Sequence, residues 1–139
     1  MQTFVPYDTF ASSAMCLDYR RLGKQRVETY QLLRANLDIT LGWKNHPAAL
    51  MWRNNINGLI AYGVVMCDEW TKRGYKDTTK EKILALGYAD SSDLPSWWGD
   101  PDIHSSHRSN LLRKDPDFYS QWGWDDDPAA PYVWPSAVA

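Results

Sequence analysis

Basic side chains are concentrated in one short stretch near the start of this chain. Arg20, Arg21, Lys24 and Arg26 lie close together, and Glu28 follows one helical turn after Lys24. Clustered cations bind the repeated phosphates of a polyanion, although charge on a helix is also common where the helix simply faces water. The whole chain has 15 lysine and arginine residues against 17 aspartate and glutamate residues, so its formal net charge is −2 and the positive charge is local. The stretch therefore predicts a binding surface for a polyanion, with a solvated helix face as the alternative.

Other cations could complete this surface from distant parts of the chain. Lys44 lies in a predicted loop, and Arg108, Arg113 and Lys114 lie on a predicted helix near the end. If the first and last main helices are adjacent, the two groups form opposite walls of a cleft. A nucleic acid bound there would release counterions from its phosphates, which favours binding despite the negative total charge. We therefore predict nucleic-acid binding by the two groups together.

The three histidines allow several interpretations. His104 and His107 are three residues apart at the start of a predicted helix, where free backbone N–H groups can hold a phosphate. With His46 they could form a metal site, but an HxxH pair without a second motif is weak support, and we predict no metal and no cofactor. An ordinary surface histidine is the plain alternative. Because imidazole titrates near neutral pH, His107 or His46 could donate a proton to a leaving group, and His107 is the predicted acid.

Tryptophan is abundant in this chain, and several of its 8 tryptophans fall in predicted loops. Trp43, Trp97 and Trp98 could stack on an unpaired or extruded base. Core packing is the alternative, because a small helical protein needs large side chains to fill the gaps between its helices. Both uses stay open, and base stacking is the functional prediction for these three residues.

The spacing of apolar residues predicts helices throughout the chain. We expect a short helix at 8–15, a long helix reaching about residue 36, a central helix from Pro47 to about Gly74, a short helix at 77–86 and a last main helix at 102–114. No segments alternate in the way that paired strands do, and no internal repeat is present. The predicted fold class is all-α, with three main helices and several short ones.

Composition limits the class of protein. At 139 residues the chain fits one domain, 1–139, with an acidic and proline-bounded tail at 123–139. No apolar stretch approaches the length of a membrane span, and the amino terminus lacks the pattern of a secretion signal. Cys16 and Cys67 are far apart in the sequence and indicate no disulfide framework. We therefore expect a cytoplasmic protein without a membrane partner.

Three sequence motifs resemble those of one known family. They are Tyr19-Arg20-x-Leu22 followed by Arg26-Val27, the run from Lys72 to Thr79, and the segment from Leu94 to Asp100. Over residues 1–122 the chain is similar to the pyrimidine dimer DNA glycosylases of the T-even phage endonuclease V type. The resemblance implies a monomeric, all-α protein that kinks DNA, extrudes a base and cuts its N-glycosidic bond. It also implies that the nucleophile is the α-amine of the first residue, assisted by a carboxylate on the first main helix.

Two positions depart from that family pattern, and both affect the chemistry. Gln2 is bulky, so Met1 is expected to stay in place and its amine becomes the predicted nucleophile. Arg21 occupies the helix position at which the resemblance implies a carboxylate. Glu28, about two turns further along nearly the same face, is the predicted substitute, although it could simply pair with Lys24. Lys24 is the alternative imine-forming amine, and a phosphate contact is its other use.

We predict a DNA glycosylase that acts on a damaged or modified base in duplex DNA, in base-excision repair, with AP-lyase activity as a further prediction. The predicted catalytic residues are Met1, Glu28 and His107. The predicted DNA contacts are Arg20, Arg21, Lys24, Arg26, Lys44, Arg108, Arg113 and Lys114. The alternative function is a catalytically silent nucleic-acid or nucleotide-binding module on the same scaffold, which the departures at Gln2 and Arg21 favour. A third hypothesis is an enzyme of another reaction type centred on the histidine and arginine cluster.

Overall fold

Helices dominate the part of the chain, residues 1–40 and 42–135, that the computed structural model describes. Within this part they are α1 (Phe10–Met15), α2 (Tyr19–Asn36), α3 (Pro47–Leu50), α4 (Ile56–Lys72), α5 (Thr79–Leu84), α6 (Pro101–Lys114) and α7 (Pro116–Tyr119), followed by a 3₁₀ turn at Ser120–Trp122. The described residues contain no β-strand, and the all-α prediction is confirmed. None of these helices is both long enough and apolar enough to cross a bilayer.

Helix α2 begins at a capped end and packs closely against α4. The Asp18 carboxylate accepts a hydrogen bond from Arg21 N at 3.3 Å, which satisfies one of the free N–H groups of the first turn. The buried side of α2, which includes Leu22, lies against the core. At Gly63 of α4, a Cβ atom would lie 2.5 Å from the methyl carbon of Thr29 on α2. Glycine at this position therefore permits the close approach of the two longest helices.

The central helix is shorter than predicted. Helix α4 begins at Ile56, and residues 51–55 lie outside both α3 and α4. The Asp93 carboxylate, from a distant loop, accepts hydrogen bonds from Asn55 Nδ2 at 2.9 Å and from Gly58 N at 3.1 Å. These bonds cap α4 next to a pair of asparagines, a residue type that favours helix caps over helix interiors. The prediction of one continuous helix from Pro47 is therefore wrong.

The core contains large aromatic residues that hold the non-helical amino-terminal segment in place. Trp52 and Tyr62 are fully buried, and Phe10 of α1 packs against both rings. The Tyr62 hydroxyl donates a hydrogen bond to Phe4 O at 2.8 Å, and Trp52 Nε1 donates to Thr3 Oγ1 at 2.9 Å. Polar atoms of buried tyrosine and tryptophan need such partners. The core therefore anchors residues 3 and 4.

The acidic tail packs along α6. The Asp126 carboxylate accepts hydrogen bonds from Arg108 Nε at 2.8 Å and from Ser105 Oγ at 2.6 Å. Trp124 stacks on Tyr119, with ring centroids 5.7 Å apart. Asp126 of the tail is therefore paired with Arg108 of α6 and not with a cation of α2.

Candidate active site

The segment before α1 is extended and is held by side chains from elsewhere in the chain. Gln25 Nε2 donates a hydrogen bond to Gln2 O at 2.8 Å, and Gln25 Oε1 accepts one from Phe4 N at 2.9 Å. Gln2 N donates to Glu28 Oε2 at 3.3 Å. Buried backbone groups outside helices and sheets need such partners, because leaving them without one costs free energy. These bonds fix the first residues of the chain along one edge of α2.

Two histidines of α6 bind the peptide groups of Val5. Val5 N donates to His107 Nδ1 at 2.9 Å. His104 Nδ1 lies 2.7 Å from Val5 O, and His104 Nε2 accepts from Gly99 N at 3.1 Å, so the ring proton is on Nδ1 and is donated to Val5. Burial lowers the pKa of His107 to about 3, so its ring is neutral near pH 7. The three-residue spacing therefore serves to position Val5, and the predicted role of His107 as an acid has no support in this geometry.

Met1, Glu28 and His46 lie together beside α2. Met1 is partly exposed, and the hydrogen bond from Gln2 N to Glu28 brings its amine near that carboxylate. Burial lowers the pKa of the His46 imidazole, the positive charge of the Met1 amine lowers it further, and Glu28 acts in the opposite direction. Ring contacts also run from His46 through Trp134 and Tyr132 to His107, which binds Val5 N, so His46 is connected to the amino-terminal segment. An amine next to a carboxylate and an imidazole can carry out nucleophilic chemistry with proton transfer.

A groove runs between the start of α2 and the end of α6. It encloses about 750 Å³ and is lined by the cations Arg20, Arg21, Lys24 and Lys114, with Asp18, Tyr19, Asp115 and Phe118. The first and last main helices are therefore adjacent here, and their cations face a shared space. Arg21 contributes less uncompensated positive charge than the other three cations, because its guanidinium pairs with Asp18 at 3.1 Å.

A second depression continues this groove along α2. It encloses about 450 Å³ and shares Tyr19, Arg20 and Lys24 with the first. Its lining also includes Val27, Glu28 and Trp70. The surface that carries the exposed cations therefore reaches the carboxylate beside the amino terminus.

Arg26 lies on the opposite edge of α2 and is engaged inside the protein. Its guanidinium pairs with Asp77 and lies 4.4 Å from the ring centroid of Trp70. Asp77 also accepts hydrogen bonds from Lys80 N at 2.9 Å and Thr79 N at 3.2 Å, which caps α5. Burial alone would raise the pKa of the Asp77 carboxyl, but these bonds and Arg26 together lower it. The prediction that Arg26 contacts DNA has no support in this arrangement.

The cations of α6 other than Lys114 hold the tail. Arg108 pairs with Asp126 and also donates to Pro6 O at 2.7 Å. Arg113 donates to Pro128 O at 2.8 Å. Both guanidinium groups therefore have partners within the protein, and their predicted contacts with phosphates have no support in this arrangement. Lys44 is separate from both helices and pairs with Asp38 at 2.6 Å on an exposed loop.

The three predicted stacking tryptophans have different environments. Trp97 is buried, and its Nε1 donates to Met51 O at 2.8 Å. Trp98 is partly buried, and its Nε1 donates to Asp8 O at 3.1 Å. Trp43 is 50% exposed and has a φ of 67°, a left-handed conformation that is unusual for a bulky residue. Trp97 is therefore a core residue, whereas Trp43 presents its ring to solvent.

Several residues that build the site were not in the predicted set. Gln25 is buried next to Glu28 and joins it to the amino-terminal segment. Tyr132 and Trp134 of the tail have ring centroids 5.5 Å apart, and Trp134 also contacts His46. A polar residue at an inward position of α2 was a usable signal for Gln25. The packing of the tail could not be predicted from the sequence, because it depends on contacts with distant parts of the chain.

Fold and site define a small all-α protein whose cationic groove reaches its own amino terminus. Residues 1–83 match the family described as pyrimidine dimer DNA glycosylase. Because this match spans more than half of the 139 residues, the chain belongs to that family, and the resemblance seen in its sequence motifs is confirmed. No curated protein and no solved structure matches the chain. The matched part contains Met1, Glu28 and the groove cations of α2, whereas α6 and the tail lie outside it.

Proposed function

We propose that this protein is a DNA glycosylase that excises a damaged pyrimidine from duplex DNA, with a pyrimidine dimer as its substrate. The observation that supports this most strongly is the continuity between the cationic groove and the site at the amino terminus. Arg20 and Lys24 line both depressions, and Glu28 lines the second. A duplex held by its phosphates along α2 would bring a nucleotide to the Met1 amine.

The proposed DNA-binding set is smaller than the set expected from the sequence. Arg20, Arg21, Lys24 and Lys114 line one groove, and their charge is only partly offset by Asp18 and Asp115. Counterion release makes such a groove attractive to a phosphate backbone even though the protein is slightly acidic overall. Trp43, with its exposed ring, is the proposed stacking residue.

In the proposed reaction the Met1 nitrogen forms a bond to C1′ of the damaged nucleotide. The C1′–N1 bond breaks and its electron pair moves onto the base, which stays joined to the neighbouring pyrimidine of the dimer. The nitrogen gives up a proton, which Glu28 accepts and passes to the base. The nitrogen lone pair then forms the C1′=N bond of an imine while the C1′–O4′ bond breaks and O4′ takes up a proton from water. Loss of a proton from C2′ then expels the 3′ phosphate, which is the proposed AP-lyase step.

The direct test uses an end-labelled duplex with a single cyclobutane pyrimidine dimer. We expect strand cleavage at the dimer without alkali treatment, and none in the same duplex without damage. Cleavage only after alkali would indicate base excision without the lyase step. The same assay is applied to Glu28→Gln, which removes the proposed proton acceptor. The matched control is Glu81→Gln, because Glu81 is an exposed carboxylate on α5 outside the groove.

A second candidate function is a nucleic-acid-binding module without catalysis. The observation in its favour is Arg21, a cation paired with Asp18 at the helix position where the resemblance implies a carboxylate. For this alternative we expect salt-dependent binding of the duplex and neither base release nor strand cleavage. The same labelled duplex distinguishes the two functions.

A further inference from the structure

We propose that His46 is a further catalytic residue, which donates a hydrogen bond from Nε2 to the carbonyl oxygen O2 of the leaving pyrimidine. This inference rests on the proposed function and adds a group that neither the family match nor the predicted catalytic set assigns. His46 precedes α3, at the end of a loop that also carries the exposed Trp43. It is the one histidine of the three outside the Val5 contacts.

The hydrogen bonds of His46 determine which ring nitrogen carries the proton. Its Nδ1 accepts a hydrogen bond from Ala48 N at 3.0 Å, so the side chain caps α3. A neutral imidazole has one donor and one acceptor nitrogen, and Nδ1 is the acceptor here. The proton is therefore on Nε2, which can donate to a substrate.

The backbone and two aromatic rings hold this imidazole in position. His46 N donates to Trp43 O at 2.9 Å, which closes the loop. The ring centroids of Trp43 and Trp134 lie 5.3 Å and 6.2 Å from that of His46, both in edge-to-face geometry. A donor on a constrained ring loses little freedom when the substrate binds, which favours catalysis.

The position of His46 suits contact with the leaving group. Ring contacts connect His46 through Trp134 and Tyr132 to His107, which binds the amino-terminal segment at Val5 N. Met1 and Glu28 also influence the pKa of His46, and this residue is partly exposed. Burial and the Met1 amine both favour the neutral imidazole, the form in which Nε2–H donates while Nδ1 keeps its bond to Ala48. A base extruded toward Met1 would therefore meet a neutral hydrogen-bond donor beside the nucleophile.

The proposed step is balanced without a further reactant. When the C1′–N1 bond breaks, the electron pair moves onto the pyrimidine and negative charge develops on N1 and O2. The Nε2–H of His46 stabilises that charge as a hydrogen-bond donor and keeps its proton. The proton that the base finally gains is the one released by the Met1 nitrogen through Glu28. Removing one donor aimed at developing charge slows other enzymes about 10²- to 10³-fold.

Two substitutions separate the cap from the donor. His46→Asn keeps an acceptor near the position of Nδ1, since asparagine is a strong helix cap, but its amide does not reach the position of Nε2. His46→Gln places an amide N–H near the position of Nε2 and weakens the cap. Each variant is compared with the wild type in two assays on the same preparation. One measures single-turnover base release in the dimer duplex, read as strand cleavage after alkali because the freed base stays joined to its dimer partner. The other measures borohydride trapping on a duplex with a preformed abasic site.

We expect His46→Asn to slow base release about 100-fold and to leave the trapping rate on abasic DNA within about twofold of the wild type. His46→Gln should retain more base release than His46→Asn. The ratio of the two rates does not depend on how much of a preparation is folded, so partial unfolding cannot imitate this result. Equal losses in both assays, or base release that is unchanged in His46→Asn, would overturn the inference.

The two assays on the wild type distinguish a failure of the proposed function from a failure of the proposed role of His46. If the wild type releases the base and traps abasic DNA, the proposed function stands, and the variants alone decide the role of His46. If the wild type does neither, the proposed function fails, and the role of His46 fails with it.

Discussion

The two edges of helix α2 carry similar ionisable groups in opposite situations. On one edge, Arg26 and Asp77 are paired, and Asp77 also accepts two backbone hydrogen bonds from the start of α5. On the other edge, Glu28 accepts hydrogen bonds from Gln2 N and Gln25 Nε2, both at 3.3 Å, and forms no ion pair among the described residues. The comparison shows that charge on this helix is structural where the protein supplies the counter-charge. Where the protein supplies no counter-charge, the charged group is available to a ligand.

The largest expected effect is the loss of activity on the Glu28 edge. Glu28→Gln should reduce single-turnover base release about 10²- to 10⁴-fold, because the carboxylate can no longer accept the proton from the amine. The unfolding midpoint in urea should stay close to that of the wild type, since an amide can still accept a hydrogen bond from Gln2 N. Base release equal to that of the Glu81→Gln control would contradict the assignment.

The next effect is a loss of stability on the Arg26 edge. Arg26→Ala leaves the buried Asp77 carboxylate without its partner, which should lower the free energy of unfolding by about 3 kcal/mol. Arg20→Ala, at an exposed position on the same helix, should leave the unfolding free energy unchanged. Urea titrations of the two variants test the comparison, and similar unfolding curves would show that the Arg26 pair is not structural.

A smaller effect on stability concerns the buried histidine that binds Val5. In the unfolded chain His107 has an ordinary pKa of 6.5, whereas in the folded protein burial lowers it to about 3. The unfolded state therefore binds more protons between these values, and the folded state loses stability as the pH falls from 6.5 toward 3. When the pH falls from 6.5 to about 5, the His107 share of this loss should be about 2 kcal/mol.

The His107→Gln variant isolates that share. Its unfolding free energy should depend less steeply on pH below 6.5 than that of the wild type. Carboxyls with lowered pKa, such as Asp77, titrate in both proteins and cancel in the difference. Parallel curves for the two proteins would mean that His107 is protonated in the folded state, contrary to its buried contact with Val5.

The smallest effects are expected for single cations of the groove. Lys24→Ala and Lys114→Ala should each weaken duplex binding several-fold and reduce the dependence of log K on log salt by about 1. Lys82→Ala, at an exposed position on α5 outside the groove, is the control. Binding that stays constant with salt concentration, or equal slopes in all three variants, would show that the groove cations do not bind the DNA phosphates.

The helices were largely predictable because their signals are local. Pro47 and the polar run from Asp77 to Thr79 mark helix starts within a few residues, and apolar spacing marks the helix faces. The break between α3 and α4 was not predictable, because the cap comes from Asp93, 35 residues after Gly58. A local pattern contains no information on such a contact.

The candidate site was predictable in part for the same reason. The cation cluster and Glu28 follow from spacing along one helix. The partner of Arg26 lies 51 residues away, and the atoms that bind Val5 lie about one hundred positions along the chain, so neither could be read from the stretch itself. The different environments of Trp43 and Trp97 likewise depend on which loop packs over the core.

The most direct measurement of the central claim is the location of the covalent adduct. The protein is incubated with abasic duplex and borohydride, digested with protease, and its peptides are analysed by mass spectrometry, with intact mass reporting whether Met1 is present. We predict an adduct on the α-amine of Met1, formed more slowly in Glu28→Gln and at the wild-type rate in Glu81→Gln. An adduct on Lys24, or duplex binding without any adduct, would contradict the claim that the amino terminus beside Glu28 is the nucleophile.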